Sequence, residues 1–433
     1  MRRMPITVVG LAGVALLATG CGGGSSSSAA PSATTSASPS ATPSPTDSNA
    51  APTRADADLV IWSDEKRAAA LKDVAAKFGT DNGIKVAVQV VSKDLQTNYV
   101  TANTAGNGPD VVVGAHDWIG NLVQNAAIDP LQLTDQQKSA FVPVAIKAVT
   151  YKDQIYGLPY ALESVALYRN TAVVPNAPKT FDEVVSTGLA AVKAKKVQSA
   201  LNLQVGQNGD AYHMQPLFTS AGGYLFGTNA AGDYDPKDVG VGKAGSIAAA
   251  KKLAALGEKG QGVLKRSIAG ENSISLFAGG KAAYLVSGPW ALADLQKAGI
   301  KYDITPIPGF AGLKPAKPFT GVQAFYVASK GRNKQFAQEF VTQAVNTPEA
   351  MKALFDAEPR PPAMSAVLDQ VSGSNPDVAK FASAAKDGQV LPVIPEMAAI
   401  WEPLGKAQAA IVGGADPTKT IQSAGKTINA AVK

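Results

Sequence analysis

One cysteine and two histidines in 433 residues argue against whole classes of chemistry before any motif is sought. With Cys21 alone there can be no intrachain disulfide. His116 and His213 lie far apart and outside any spaced ligand motif, which argues against a zinc site, and no cofactor is expected. Long apolar runs are also missing: Pro5 to Thr19 is shorter than the roughly 20 residues that span a bilayer. Nor is there a block of one charge. Forty basic and 34 acidic residues leave a net +6, and lysines alternate with acids, so there is no nucleic-acid footprint. No short internal repeat is present. Gly240-Val-Gly-Lys-Ala-Gly245 fits the letters of a dinucleotide loop but follows Asp235-Pro-Lys-Asp238, with no strand read before it.

What is present begins with an address. Met1 to Arg3 are basic, an apolar stretch follows, and Gly20-Cys21 closes it, so residues 1–20 read as a signal peptide. Leu17-Ala18-Thr19-Gly20-Cys21 resembles the lipobox of bacterial lipoproteins, with Ala18 where leucine is usual. That resemblance implies a lipidated Cys21 at the mature N-terminus; the alternative is an ordinary signal peptide with a spare thiol. From Gly22 to Thr53 the chain is almost wholly Gly, Ser, Ala, Thr and Pro, too little apolar surface to offset ordering entropy. Residues 21–56 are therefore expected to be a disordered tether with a reach on the order of 30 Å. The expected location is the extracellular face of the cell membrane, held by the lipid anchor.

About 375 residues remain, which suits two lobes better than one core. Asp58 to Trp62 reads as an apolar strand. Leu71, Val74, Ala75 and Phe78 then fall on one helical face, with the helix ending at Gly79. Ile84 to Val91 and Asp110 to Val113 read as further strands, giving an α/β lobe with a largely parallel sheet. Thr180-Phe-Asp-Glu183 is a capping box opening a helix through about Lys196, and Ala200 to Leu203 reads as the next strand, hence a second α/β unit.

Leu59-Val-Ile-Trp62, Gly83-Ile-Lys-Val86, Gly108-Pro-Asp-Val111, Ala115-His-Asp117, Tyr156-Gly-Leu-Pro159, Glu163, Gly222-Gly-Tyr224, Gly288-Pro-Trp290 and Ile394-Pro-Glu-Met397 with Trp401 occur in one order along the chain. In that order the chain resembles the maltose and maltodextrin-binding proteins of ABC importers over nearly all of residues 58–433. The resemblance implies an α/β, two-lobed periplasmic-binding-protein-like fold with three hinge crossings and the ligand cleft between lobes. Lobe one would combine 57–161 with 321–372, and lobe two 162–320 with 373–433, the crossings lying near Tyr160 to Glu163, Phe319 to Val322 and Ser372 to Pro376. It also implies a monomer that captures maltose or maltodextrin and delivers it to an ABC transporter permease, and is not an enzyme.

A sugar site pairs flat apolar faces with charged hydrogen-bonding groups, since bonds to charged groups contribute roughly 1.5–3 kcal/mol against about 1 for neutral pairs. Carried over from the family pattern, Glu65, Lys66, Asp117 and Glu163 would bind hydroxyls, Asp210 would accept, and Tyr212, Trp290 and Trp401 would stack. Trp118 stands where some relatives have a hydroxyl-binding arginine and Gly114 where they have a stacking tryptophan, so an aromatic face would have moved by four positions. Duller readings stand beside these: tryptophans are commonly core, Asp117 and Asp210 could be helix N-caps, Lys66 could be a surface charge, and Trp62 reads as core. Trehalose or another oligosaccharide remains an alternative ligand. So does a surface carbohydrate-active enzyme, which would need two opposed carboxylates about 5–9.5 Å apart.

Overall fold

The computed structural model describes residues 52–229 and 234–432. Cys21, the signal peptide and most of the expected tether lie outside the described residues.

β1 (Leu59–Ser63) is buried along its whole length, with Leu59 to Trp62 at 0% exposure. Fully burying such side chains stabilises by roughly 1.5–3 kcal/mol each, so this strand lies inside its sheet with a neighbour on either side, and Trp62 is core. α1 (Glu65–Asn82) follows, opened by Asp64, whose side chain accepts from the Arg67 amide at 3.1 Å. Its inner face is Ala68, Leu71, Ala75 and Phe78, with Val74 half-buried beside them. The helix does not end at Gly79 as the pattern predicts. It runs to Asn82, and Gly83 supplies the left-handed cap at φ +64°. Gly79 is small for another reason: a Cβ there would lie 2.8 Å from the Ile84 carbonyl oxygen.

β2 (Val86–Val90) and β3 (Val111–Ala115) flank β1 in parallel, joined through the helix Leu95–Thr104. The sheet is completed by the strand Phe319–Ala328, buried at all ten positions, which runs antiparallel to both β3 and the strand Leu158–Glu163. A four-stranded second sheet has the order Tyr302–Thr305, Ala166–Asn170, Ala282–Ser287, Ser199–Leu203. Two sheets, each with its own helices, make a two-lobed α/β molecule. Only Ser164 and Val165, both fully buried, separate the last residue of Leu158–Glu163 from the first of Ala166–Asn170.

The helix Phe181–Lys193 is shorter than predicted by about a turn. Thr180 caps it by accepting from the Glu183 amide, but the Glu183 carboxylate reaches back to the Lys179 amide (2.7 Å) and not to Thr180. The glycine-rich segment 240–245 does follow a strand, Tyr234–Val239, and precede the helix Ala244–Leu256, contrary to the sequence reading. That strand belongs to a two-stranded antiparallel hairpin, however, and the glycines serve packing: Gly245 sits against the Gly222 carbonyl and Gly242 (φ +89°) against Gly425.

Two further features tie the body together. Thr53 accepts from Gln89 (2.8 Å), and Arg54 donates to the Gly108 carbonyl (2.7 Å) and the Asp110 carboxylate (2.6 Å), the two side chains being 3% and 0% exposed. The helix Pro376–Asp387 inserts Val378, Phe381 and Ala385 into one apolar cluster that contains Val322 and Phe325 of the first sheet and Tyr168 and Leu285 of the second. Phe381 lies 5.6 Å from Tyr168, ring to ring.

Candidate functional site

Where the strand Leu158–Glu163 leaves the first sheet, a cavity of about 670 Å³ opens, within the range of small-molecule sites. Its wall on the α1 side is Asp64, Glu65, Lys66 and Arg67. The opposite wall is Tyr212, His213 and Trp290, and Glu163, Gln323, Glu358 and Arg360 close the back. A smaller cavity of about 250 Å³ adjoins it through the shared residues Glu163 and Tyr212, and adds Asp117, Trp118 and Trp401. Of the predicted site residues, only Asp210 lines neither.

Each aromatic is seated by the backbone beneath it. A Cβ on Gly114 would fall inside the Trp118 ring, and one on Gly288 inside the Trp290 ring. The tryptophan four residues on from Gly114 thus occupies the space that a side chain at 114 would take. Gly288 precedes the short turn Pro289–Ala291 and is fixed by the Tyr168 hydroxyl, which donates to its carbonyl at 2.8 Å. Trp290, Tyr212, Phe319 and Trp401 form a continuous series of ring contacts with centroid separations of 6.4, 5.9 and 6.0 Å.

Facing that apolar series is a charged network of which the sequence reading named only Glu163 and Lys66. Arg360 binds Glu358 with two nitrogens, at 2.8 and 3.2 Å, forms an ion pair with Glu163, and stands 5.3 Å from the centroid of the Trp290 ring. Glu163 also accepts from Gln323 at 3.0 Å. Arg67 pairs with Asp64 at 2.8 Å, and Lys66, more than half exposed, reaches Glu358 at 4.0 Å. Burial, aided by the charge of Arg67, pushes the Arg360 guanidinium down to about 10, and burial pushes Glu358 up against the pull of Arg67 and Lys66. The segment is stiff because Arg360 lies between Pro359 and Pro361-Pro362, and it is stitched to the crossing strand by Leu162 donating to the Pro361 carbonyl (2.7 Å). The charged, proline-rich run from 358 to 362 is the signal that could have found it.

In the smaller cavity, burial pushes the Asp117 carboxyl up to about 6. Asp117 lies within the short turn His116–Trp118 and caps no helix by its side chain. Beside it His116, 1% exposed, accepts from the Val322 amide at Nδ1 (3.0 Å) and donates from Nε2 to the Leu391 carbonyl (3.1 Å). Burial holds it neutral, lowered to about 4.

Asp210 is the N-cap of the helix Ala211–Ser220. It accepts from the His213 amide (2.9 Å), from His213 Nδ1 (2.9 Å) and from Gln204 (2.6 Å). Burial would raise its carboxyl, but the hydrogen bonds from His213 and Gln204 outweigh it and hold it low.

Another cavity, about 690 Å³, opens on the outer flank of α1. Its one aromatic, Phe78, is turned edge-on into Phe336 and Phe340 and offers no free face to a ligand.

The family described as bacterial extracellular solute-binding protein matches residues 73–401. Among similar chains are a galactooligosaccharide-binding protein of Bacillus subtilis, 29% identical over 89% of this chain and 92% of that one. A maltotriose-binding protein of Pyrococcus abyssi is 30% identical over 73% and 68%. A maltooligosaccharide ABC transporter solute-binding lipoprotein of Streptococcus pneumoniae R6 is 27% identical over 84% and 86%.

Proposed function

The chain belongs to the bacterial extracellular solute-binding protein family, binding proteins and not enzymes, and we propose that its ligand is an oligosaccharide of the maltodextrin type, handed to an ABC transporter permease. The observation that carries this reading is the pairing of opposed walls. Trp290, Tyr212 and Trp401 offer apolar faces to the C–H side of sugar rings, and Glu65, Lys66, Asp117, Glu163, Glu358 and Arg360 offer charged groups to hydroxyls. Carboxylates and guanidinium already bonded to one another are preorganised, so ordering them costs little on binding. A ligand touching both lobes binds the closed arrangement more tightly and shifts the population toward it, which is the signal a permease reads. The chain would move about three crossings between lobes 57–161 with 321–372 and 162–320 with 373–433. It would act as a monomer, anchored at the extracellular face of the cell membrane through lipidated Cys21.

Titration of residues 52–433 with maltose, maltotriose, longer maltodextrins, trehalose and galactooligosaccharides tests this, with each mixture checked for hydrolysis. Saturable binding to α-glucans without product is expected; a preference for galactooligosaccharides would move the ligand to that class.

Trp290→Ala is expected to cost about 2–3 kcal/mol of binding, roughly 30- to 150-fold in Kd, with the fold intact, because that ring is half-buried at the cavity wall. Gly288→Ala should do nearly as much by displacing the same ring. Unchanged affinity in both variants would remove Trp290 from the site.

A further inference from the structure

The helix Ala211–Ser220 lines the large cavity with Tyr212 and His213, and His213 is a residue no sequence motif singled out as a binder. Asp210 is fully engaged inside the protein by three donors and does not line the cavity, whereas His213 does. The His213 ring is clamped: Nδ1 on Asp210 at 2.9 Å, and its plane edge-on to Trp290 at 6.0 Å and 83°. Among the described residues Nε2 has no protein partner. A carboxylate only accepts, so in the neutral imidazole the proton sits on Nδ1 and Nε2 presents a lone pair.

We propose that His213 Nε2 is a ligand-binding acceptor that takes a hydrogen bond from one hydroxyl of the bound sugar, and that Asp210 is a positioning residue that fixes the imidazole tautomer. The assignment rests on the oligosaccharide reading of the cleft and adds a residue and a direction to it. An acceptor at the edge of the Trp290 face selects for a free hydroxyl there. A deoxy or O-methyl sugar at that position loses the bond, whereas a site built around a donor would keep it with the methyl ether.

Because the chain has only two histidines, imidazole nitrogen NMR resolves both, and His116→Gln assigns them. The free wild-type protein is expected to show His213 protonated at Nδ1, and maltotriose is expected to shift its Nε2 signal. His213→Ala should weaken maltotriose binding about tenfold and His213→Gln, which restores an acceptor near the same point, should recover part of it. Asp210→Asn keeps an effective helix cap, so thermal stability should barely change. The amide can donate to Nδ1, moving the proton to Nε2, and affinity should fall several-fold with that tautomer change. A wild-type tautomer protonated at Nε2, or His213→Ala within twofold of wild-type affinity, overturns the assignment. Wild-type protein that binds none of the sugars overturns the oligosaccharide reading instead, and this role with it.

Discussion

Arg54→Ala is expected to lower the unfolding free energy by about 3 kcal/mol, as large an effect as any single surface-proximal substitution in this chain should have. The reason is what it leaves behind. Asp110 is wholly buried, and its carboxylate accepts from Arg54 and the Val60 amide on one oxygen and from the Asn333 amide on the other (2.7 and 3.0 Å). Removing the guanidinium leaves a buried negative charge with two backbone donors and no counter-charge. Breaking a buried pair typically costs about 3–5 kcal/mol, and the two amides place this case at the lower end. A chain beginning at residue 57 lacks the same partner and should be destabilised to a similar degree relative to one beginning at 52. Adding Asp110→Asn to Arg54→Ala should recover part of the loss. Denaturant midpoints for these four proteins decide it; equal midpoints for the two chain lengths would mean the pin contributes nothing.

The second large effect is hidden by compensation. His116 is lowered from an ordinary 6.5 to about 4 by burial, and its neighbour Asp117 is raised from 3.8 to about 6 by burial. As pH falls from about 6.5 to 4, the unfolded chain takes up a proton at position 116 that the folded chain refuses. The His116 contribution to stability is therefore complete above 6.5 and lost on acidification. Over nearly the same range the folded chain takes up a proton at 117 that the unfolded chain does not, which stabilises it. Each effect amounts to roughly 2–3 kcal/mol at 1.36 kcal/mol per unit, Asp117 at the lower figure because it is partly open to its cavity. The two slopes oppose, so these neighbours leave stability nearly flat across that window. Asp117→Asn removes one of them. The variant should be more stable than wild type near pH 7 and lose that advantage by pH 4, its stability then falling with the His116 proton. Sugar affinity should fall at pH 7 if Asp117 serves a hydroxyl. Stability measured against pH for both proteins, read as a difference, checks this: parallel curves would show that Asp117 is not perturbed as described.

Local patterns carried much of the architecture. The alternation of a fully apolar strand with a helix of period 3.6 marks β1 and α1, and the parallel β1–β2–β3 unit follows from it. The helix end was misread because glycine has two uses: Gly83 supplies a left-handed cap, whereas Gly79 makes room for a neighbouring carbonyl, and a single sequence does not distinguish them. Much of the cleft lining was likewise visible, because residues such as Trp290 sit in short fixed phrases. What could not be read locally is pairing across distance. Arg360 meets Glu163 across nearly two hundred positions, and Arg54 meets Asp110 across more than fifty. The geometry at Asp210 was also out of reach. An acid before a helix can cap or bind, and only the placement of His213 and Gln204 shows that both oxygens of Asp210 are taken.

The helix Pro376–Asp387 has a consequence for how the molecule comes apart. Its apolar face closes a core to which both sheets contribute, and His116 fastens Val322 and Leu391 to the loop after β3. Neither lobe can melt without exposing surface that belongs to the other. Heating should accordingly give one calorimetric transition whose van't Hoff and measured enthalpies agree, where two independent lobes would give two. The same coupling means that no contiguous half of the chain carries a complete folding unit, and that the first lobe must wait for its C-terminal segments before it is stable.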